Sequence, residues 1–268
     1  MKGSFFRDQI EYKIDIQGES WLQSSQIQGT LQIRNHGQSA WTAPSPFPVR
    51  LAVGAEKKVK AKLNDAFQEY QSMDVAGTPP VTVAAGATSQ PLTWSFRLPI
   101  EARITDTTKS LYITYGSAPL TEAGAFGALQ LRILPHPWIE DLCSIIETNF
   151  RFPRKKTSAG DEKTGSVEVK FDPPDAKAYS MLEHLVVDWQ LVQTEQDPSP
   201  TLIECTFVFH VKEVDALQAG LKLKKTKKTI RRTLQPHEVV LKLNNRIRRD
   251  VFESVFESVL KEAAIGFG

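Results

Sequence analysis

The densest chemistry-bearing stretch of this chain is a run of ammonium and guanidinium groups. Lys222, Lys224, Lys225, Lys227, Lys228, Arg231 and Arg232 lie close together with no acid among them, and Arg246, Arg248 and Arg249 follow. Clustered cations hold phosphates, anionic lipid headgroups or an acidic protein segment. The same spacing also suits a sheet edge whose lysines oppose aggregation, or long side chains that simply face water. No aromatic residue lies between Lys222 and Arg232. That counts against single-stranded nucleic acid, whose bases need stacking platforms.

Other chemistry is sparse. The five histidines are His36, His136, His184, His210 and His237, and none has a His or Cys partner at metal-ligand spacing. His210, between Phe209 and Val211, falls on the outward face of a strand and reads as a solvated side chain. The two cysteines, Cys143 and Cys205, sit among apolar residues and read as small buried hydrophobes. No nucleophile elbow, phosphate-binding loop or dinucleotide fingerprint is present. The expectation is a protein with no catalytic residues, no cofactor and no metal.

The elements that must position the cations are strands. Ile10, Tyr12, Ile14 and Ile16 alternate with Glu11, Lys13, Asp15 and Gln17. Ile27, Gly29, Leu31 and Ile33 repeat the pattern, as do Trp94, Phe96 and Leu98, then Leu111, Ile113 and Tyr115. Leu129, Leu131 and Ile133 form the last run of the first half. Period-two alternation buries one face and solvates the other, the habit of antiparallel sheets. After Pro135-His136-Pro137, alternation returns at Val167–Phe171, Leu185–Leu191 and Cys205–Val211.

Between these runs the reading is mixed. From Glu56 to Met73 two patterns compete: Val59, Leu63, Phe67 and Tyr70 fit one face of a helix, while Val59, Ala61 and Leu63 continue the strand parity of Val49. The preferred expectation is a strand to about Lys62, then a helical turn near Asp65 to Tyr70. Turn residues Pro44, Pro46, Gly77, Pro79 and Pro80 punctuate this half. Pro137 suits the first turn of a helix carrying Trp138, Leu142, Ile145 and Ile146 on one face. Arg151 to Gly165, polar and rich in Lys, Ser, Thr and Gly, reads in its middle as a hairpin loop. From Asn245 onward, Ile247, Val251, Val255, Val259 and Ala263 recur every fourth residue beside Phe252, Phe256 and Leu260. This predicts an amphipathic helix capped by Asn244 or Asn245 and ended by Gly266 and Gly268. Its polar side mixes Glu253, Glu257 and Glu262 with Lys261, which favours packing or dimerisation over membrane binding.

Composition agrees. The chain has 268 residues, 41% hydrophobic and 24% charged, with a net charge of +2. Those are values of a globular protein with room for two domains. The first ten residues carry Lys2, Arg7 and Asp8 and no apolar core, so no signal peptide is read and a cytoplasmic location is expected. The expected architecture is all-β: two tandem antiparallel β-sandwiches, residues 1–134 and 135–268, the second with the terminal helix.

The order of these features resembles the arrestin-like fold, and within it the bacterial sporulation-control family. Ile10 to Asn35 is similar to that family's opening hairpin. Trp94-Ser95-Phe96-Arg97-Leu98-Pro99, Ile104-Thr105-Asp106, Ser110 to Gly116 and Val167 to Pro174 resemble later segments. Ser24-Ser25-Gln26 stands where the family has a Gly-Glu step. The resemblance implies a regulatory protein without catalysis. The expected role is an adaptor with protein partners, or a homodimer. The alternative is a peripheral protein that binds anionic lipid or another polyanion through Lys222 to Arg232. Nucleic acid is disfavoured.

Overall fold

In the first half of the chain the alternating residues face one another across strand pairs. The computed structural model describes residues 1–43, 48–74, 81–106, 108–122, 124–161, 163–194, 197–215 and 222–265. The turn residues Pro44, Pro46, Gly77, Pro79 and Pro80 and the terminal Gly266 and Gly268 lie outside the described residues. Backbone contacts divide the chain into two units, residues 1–99 with 103–134, and residues 100–102 with 135–268.

The first unit holds two four-stranded antiparallel sheets. Its main strands are β1 (Lys2–Arg7), β2 (Ile10–Ile16), β3 (Gln26–Asn35), β4 (Pro48–Ala55), β5 (Phe67–Asp74), β6 (Leu92–Arg97), β7 (Lys109–Tyr115) and β8 (Gly127–Gln130). One sheet runs β1-β2-β3-β6 and the other β8-β7-β4-β5. Tyr12 pairs with Ile33, Ile14 with Leu31 and Ile27 with Phe96, so apolar residues meet apolar partners on the inner face. These side chains are buried, as are Val49, Leu51, Leu111, Ile113 and Tyr115 of the second sheet. Each buried aliphatic or aromatic side chain adds about 1.5–3 kcal/mol of transfer free energy. Trp21–Leu22 and Ile133–Leu134 add a short parallel pair.

The Val49-to-Tyr70 expectation is corrected. The strand stops at Ala55, a short helix spans Glu56–Lys60, and Phe67–Asp74 is strand. The cause lies in residues distant in sequence. The β7 partner of β4 begins at Lys109 opposite Ala55, so the ladder ends there. Phe67 packs edge-on to Tyr112 and Phe126, at 5.3 and 5.4 Å between ring centres, which holds its segment flat on the sheet.

The second unit contains one five-stranded antiparallel sheet, in chain order. Its strands are β9 (Arg154–Ala159), β10 (Val167–Phe171), β11 (Leu182–Thr194), β12 (Asp197–Asp215) and β13 (Lys222–Leu234). Two helices, α1 (Pro137–Asn149) and α2 (Arg249–Ala263), belong to the same unit. The β9 strand occupies part of the stretch read as a loop, because its alternation is polar rather than apolar. The mainly β, antiparallel class holds, but the layer over this sheet is helical, whereas a second sheet fills that place in the first unit. Phe252 and Phe256 of α2 meet Trp189 and Phe207 of the sheet at 5.9 and 5.7 Å. These two rings, about one turn of α2 apart, lie against the apolar face of the sheet.

The start of α1 follows its sequence. Pro137 occupies the first turn, and the His136 ring Nδ1 accepts the Trp138 N–H at 3.3 Å. Trp138, Ile139, Leu142, Cys143, Ile145 and Ile146 are buried. The start of α2 is corrected: it begins at Arg249, not Asn245. Arg246–Ile247 instead pairs with Val240–Leu241, and Asn245 turns that ribbon with a φ of 54°. No helix among the described residues is long and apolar enough to cross a membrane.

Gly29 tests the first unit. A Cβ there would collide with the Asp15 carbonyl oxygen and the Trp94 ring. Gly29→Ala is expected to cost about 1–3 kcal/mol by overpacking. Thermal melts read this as a drop of several degrees; an unchanged Tm would show that β3 can shift to make room.

Candidate cationic face and edge

The basic residues that stand out in sequence are split by the pleat of β13. This strand ends the sheet, with β12 on one side and no strand on the other among the described residues. Even-numbered side chains point toward the helices, since Ile230 and Leu234 are buried. Lys228 Nζ donates to the Ala263 carbonyl at 3.0 Å, and Arg232 pairs with Glu262, so both hold the end of α2. Cations suit the C-terminus of a helix, where carbonyls lack partners. Lys224, like Lys225, is exposed. The side chain of Lys222 lies outside the described residues.

Odd-numbered side chains point to the opposite, outward face. Lys225 pairs with Glu183 at 2.9 Å, and that contact holds the Glu183 carboxyl below its usual range. Lys227 stands directly across from His210, and Arg231 across from Thr206. Arg246 is set apart, bonded to Asp141 through Nε at 2.7 Å. Arg248 pairs with Asp250 at 3.1 Å. Arg249 lies 4.0 Å from Glu253. These three do not join the cluster.

The outward face also holds groups that carry no signal in sequence. His184 of β11 and His210 of β12 are register partners. Their rings stack with centres 4.0 Å apart and planes within 22°. His210 does face outward as expected, but it is half-buried against another imidazole. Desolvation, then the neighbouring His210 and Lys170, push His184 down to about 4. His210 is lowered too, by desolvation and then by Lys227 and Lys170. The signal that marks His184 is the alternation of Leu185, Val187 and Trp189, which puts the even residues from His184 to Gln190 outward; before it a bulge lets Leu182 face inward. The pairing itself needs the register.

Cys143 and Cys205 are buried, and desolvation pushes both thiols up, away from reactivity. Arg154 bridges Glu140 and Glu147, each at 2.9 Å, and ties β9 to α1. No group of three His, Cys, Asp or Glu side chains among the described residues could hold a metal ion.

No protein-family model and no curated protein matches the chain. In structure it is similar to Spo0M, the sporulation control protein of Bacillus subtilis, with a TM-score of 0.60 and 16% identity over 96% of this chain and 99% of that one. The chain has the arrestin-like fold of Spo0M. A Listeria innocua β-glucosidase aligns at a TM-score of 0.28 and 8% identity, over 47% of this chain and 16% of that one. A Paenibacillus cycloisomaltooligosaccharide glucanotransferase aligns at 0.26 and 16%, over 55% and 21%. Scores that low bear on neither fold nor activity. Among the described residues β13 lies at the edge of its sheet and carries the basic run.

Acid should loosen the second unit. His136 and His184 each fall from 6.5 to about 4 in the folded protein, chiefly by desolvation. The unfolded chain therefore binds protons first. Stability is full above about pH 6.5 and declines as pH falls toward 4. For buried His136 the window amounts to about 3 kcal/mol, from roughly 1.4 kcal/mol per pKa unit. His136→Asn keeps a capping acceptor that does not titrate. Its loss of Tm between pH 7.5 and 4.5 should be smaller than that of the native chain; equal losses would remove His136 as a cause.

Proposed function

We propose that this chain is a non-catalytic regulatory interaction protein that captures an extended acidic segment along the open edge of β13. The observation that carries the reading is the edge itself. It is 13 residues long and unpaired on one side among the described residues. It also carries Lys222, Lys224, Lys225, Lys227, Lys228, Arg231 and Arg232 without an acid. An added strand gains main-chain bonds from such an edge, and alternate side chains give selectivity. Lysines that repel a second basic edge attract an acidic one. The shared fold with a sporulation control protein supports regulation rather than catalysis.

Selection of displayed random peptides on the full chain tests this. Enriched peptides should place Asp or Glu at alternate positions. Their binding should weaken steeply with salt. It should fall tenfold or more in the Lys225→Glu, Lys227→Glu, Arg231→Glu variant. Amides of residues 222–234 should exchange more slowly in the complex. Peptides without acidic enrichment, or equal binding by the variant, would end the proposal.

A further inference from the structure

We propose that the outward face of the five-stranded sheet, where His184 and His210 stack among Lys170, Lys212 and Lys227, binds an oligophosphate and takes up protons as it does so. The groups come from four successive strands. Lys170 lies on β10 opposite Val186, the outward neighbour of His184 on β11. His184 pairs with His210 on β12, and His210 with Lys227 on β13. Lys212 and Lys225 form the next outward pair.

Glu168 and Asp188 face each other in the next outward row, where burial raises the Asp188 carboxyl, and the two acids beside the histidines themselves are already matched. Glu183 is held by Lys225 at 2.9 Å and Asp172 by Lys155 at 3.2 Å. Lys170, Lys212 and Lys227 have no acidic partner among the described residues. The rings thus sit among Lys170, Lys212 and Lys227, with Lys212 adding to the field on Glu183.

Size and charge select the ligand class. Strands lie about 4.8 Å apart, so the band from Lys170 to Lys227 crosses roughly 14 Å. A linear chain of two or three phosphates lies along such a band, and lysines bind phosphate as point charges. Rings stacked at 4.0 Å resist double protonation while cations surround them. A polyanion reverses that field. Each imidazole then gains a proton and presents a second donor. Binding must strengthen as pH falls, because the filled face holds protons that the empty face rejects.

This site shares Lys227 with strand capture at β13, but His184, His210 and Lys170 lie on inner strands away from the open edge, so the double glutamine variant separates the two proposals. The test is proton NMR of the histidine rings of the full chain, titrated with and without excess inorganic tripolyphosphate, with exposed His237 as reference. The apparent pKa values of His184 and His210 should rise by one unit or more, and that of His237 should stay put. Calorimetry should show at least tenfold weaker binding by His184→Gln/His210→Gln and by Lys170→Met/Lys227→Met. The double glutamine variant should still capture acidic peptides. In a parallel arm, tighter binding to vesicles of a bisphosphorylated inositol lipid would assign the phosphates to a headgroup and support the same chemistry. Unmoved histidine titrations, or full affinity in the double glutamine variant, would overturn the site.

Discussion

Phe252 and Phe256 seat the terminal helix on Trp189 and Phe207, and what the second unit offers to solvent depends on that contact. A pleated sheet has two faces. Once aromatic rings seal one, the period-two alternation assigns every second residue of five strands to the other. Phe150 and Phe152 join the cluster against Phe256, at 4.7 and 5.9 Å. Edge-to-face packing of this kind adds to the area buried. The basic strand β13 takes part on both sides of this division: Lys228 and Arg232 fasten the end of the helix, while Lys225, Lys227 and Arg231 look away from it.

Electrostatics on the outward face has a different balance. Lysines at an exposed edge cost little, because water screens them. Two imidazoles stacked beside them are less free. Partial burial and neighbouring positive charge both favour the neutral rings, so the face holds its charge in reserve. The same desolvation acts on His136, where neutrality serves the backbone: only a neutral ring nitrogen can accept the Trp138 N–H. One physical cause thus yields a helix cap at one place and a candidate anion face at another.

Much of this was legible from alternation alone. Ile10 to Ile16, Trp94 to Leu98, Val167 to Phe171 and Cys205 to Val211 are strands with the buried faces that their spacing predicts. Trp138 to Ile146 likewise forms its helix. Failures came where local pattern competes with a distant partner. Val59 and Leu63 continue the parity of Val49, yet the ladder ends at Ala55 because its neighbour begins at Lys109. Ile247 fits the stripe of the terminal helix, yet it pairs with Val240 in a ribbon. The apolar stripe of the terminal helix pointed to packing, but the order of residues left a second sheet expected over β9 to β13, where the contacts of Phe252 and Phe256 place a helix.

Residue order by itself therefore settled which side chains share a face, because alternation is a property of neighbours along one strand. It also brought seven cations close together along the chain, and pairing with β12 made that run one strand. Which groups stand beside them was decided in three dimensions. His184 meets His210, and Lys170 joins Lys227, only through the register of four strands. Register is set by packing between residues far apart in the chain, and a slip of β11 by a single residue would turn His184 to the buried side and end its pairing with His210.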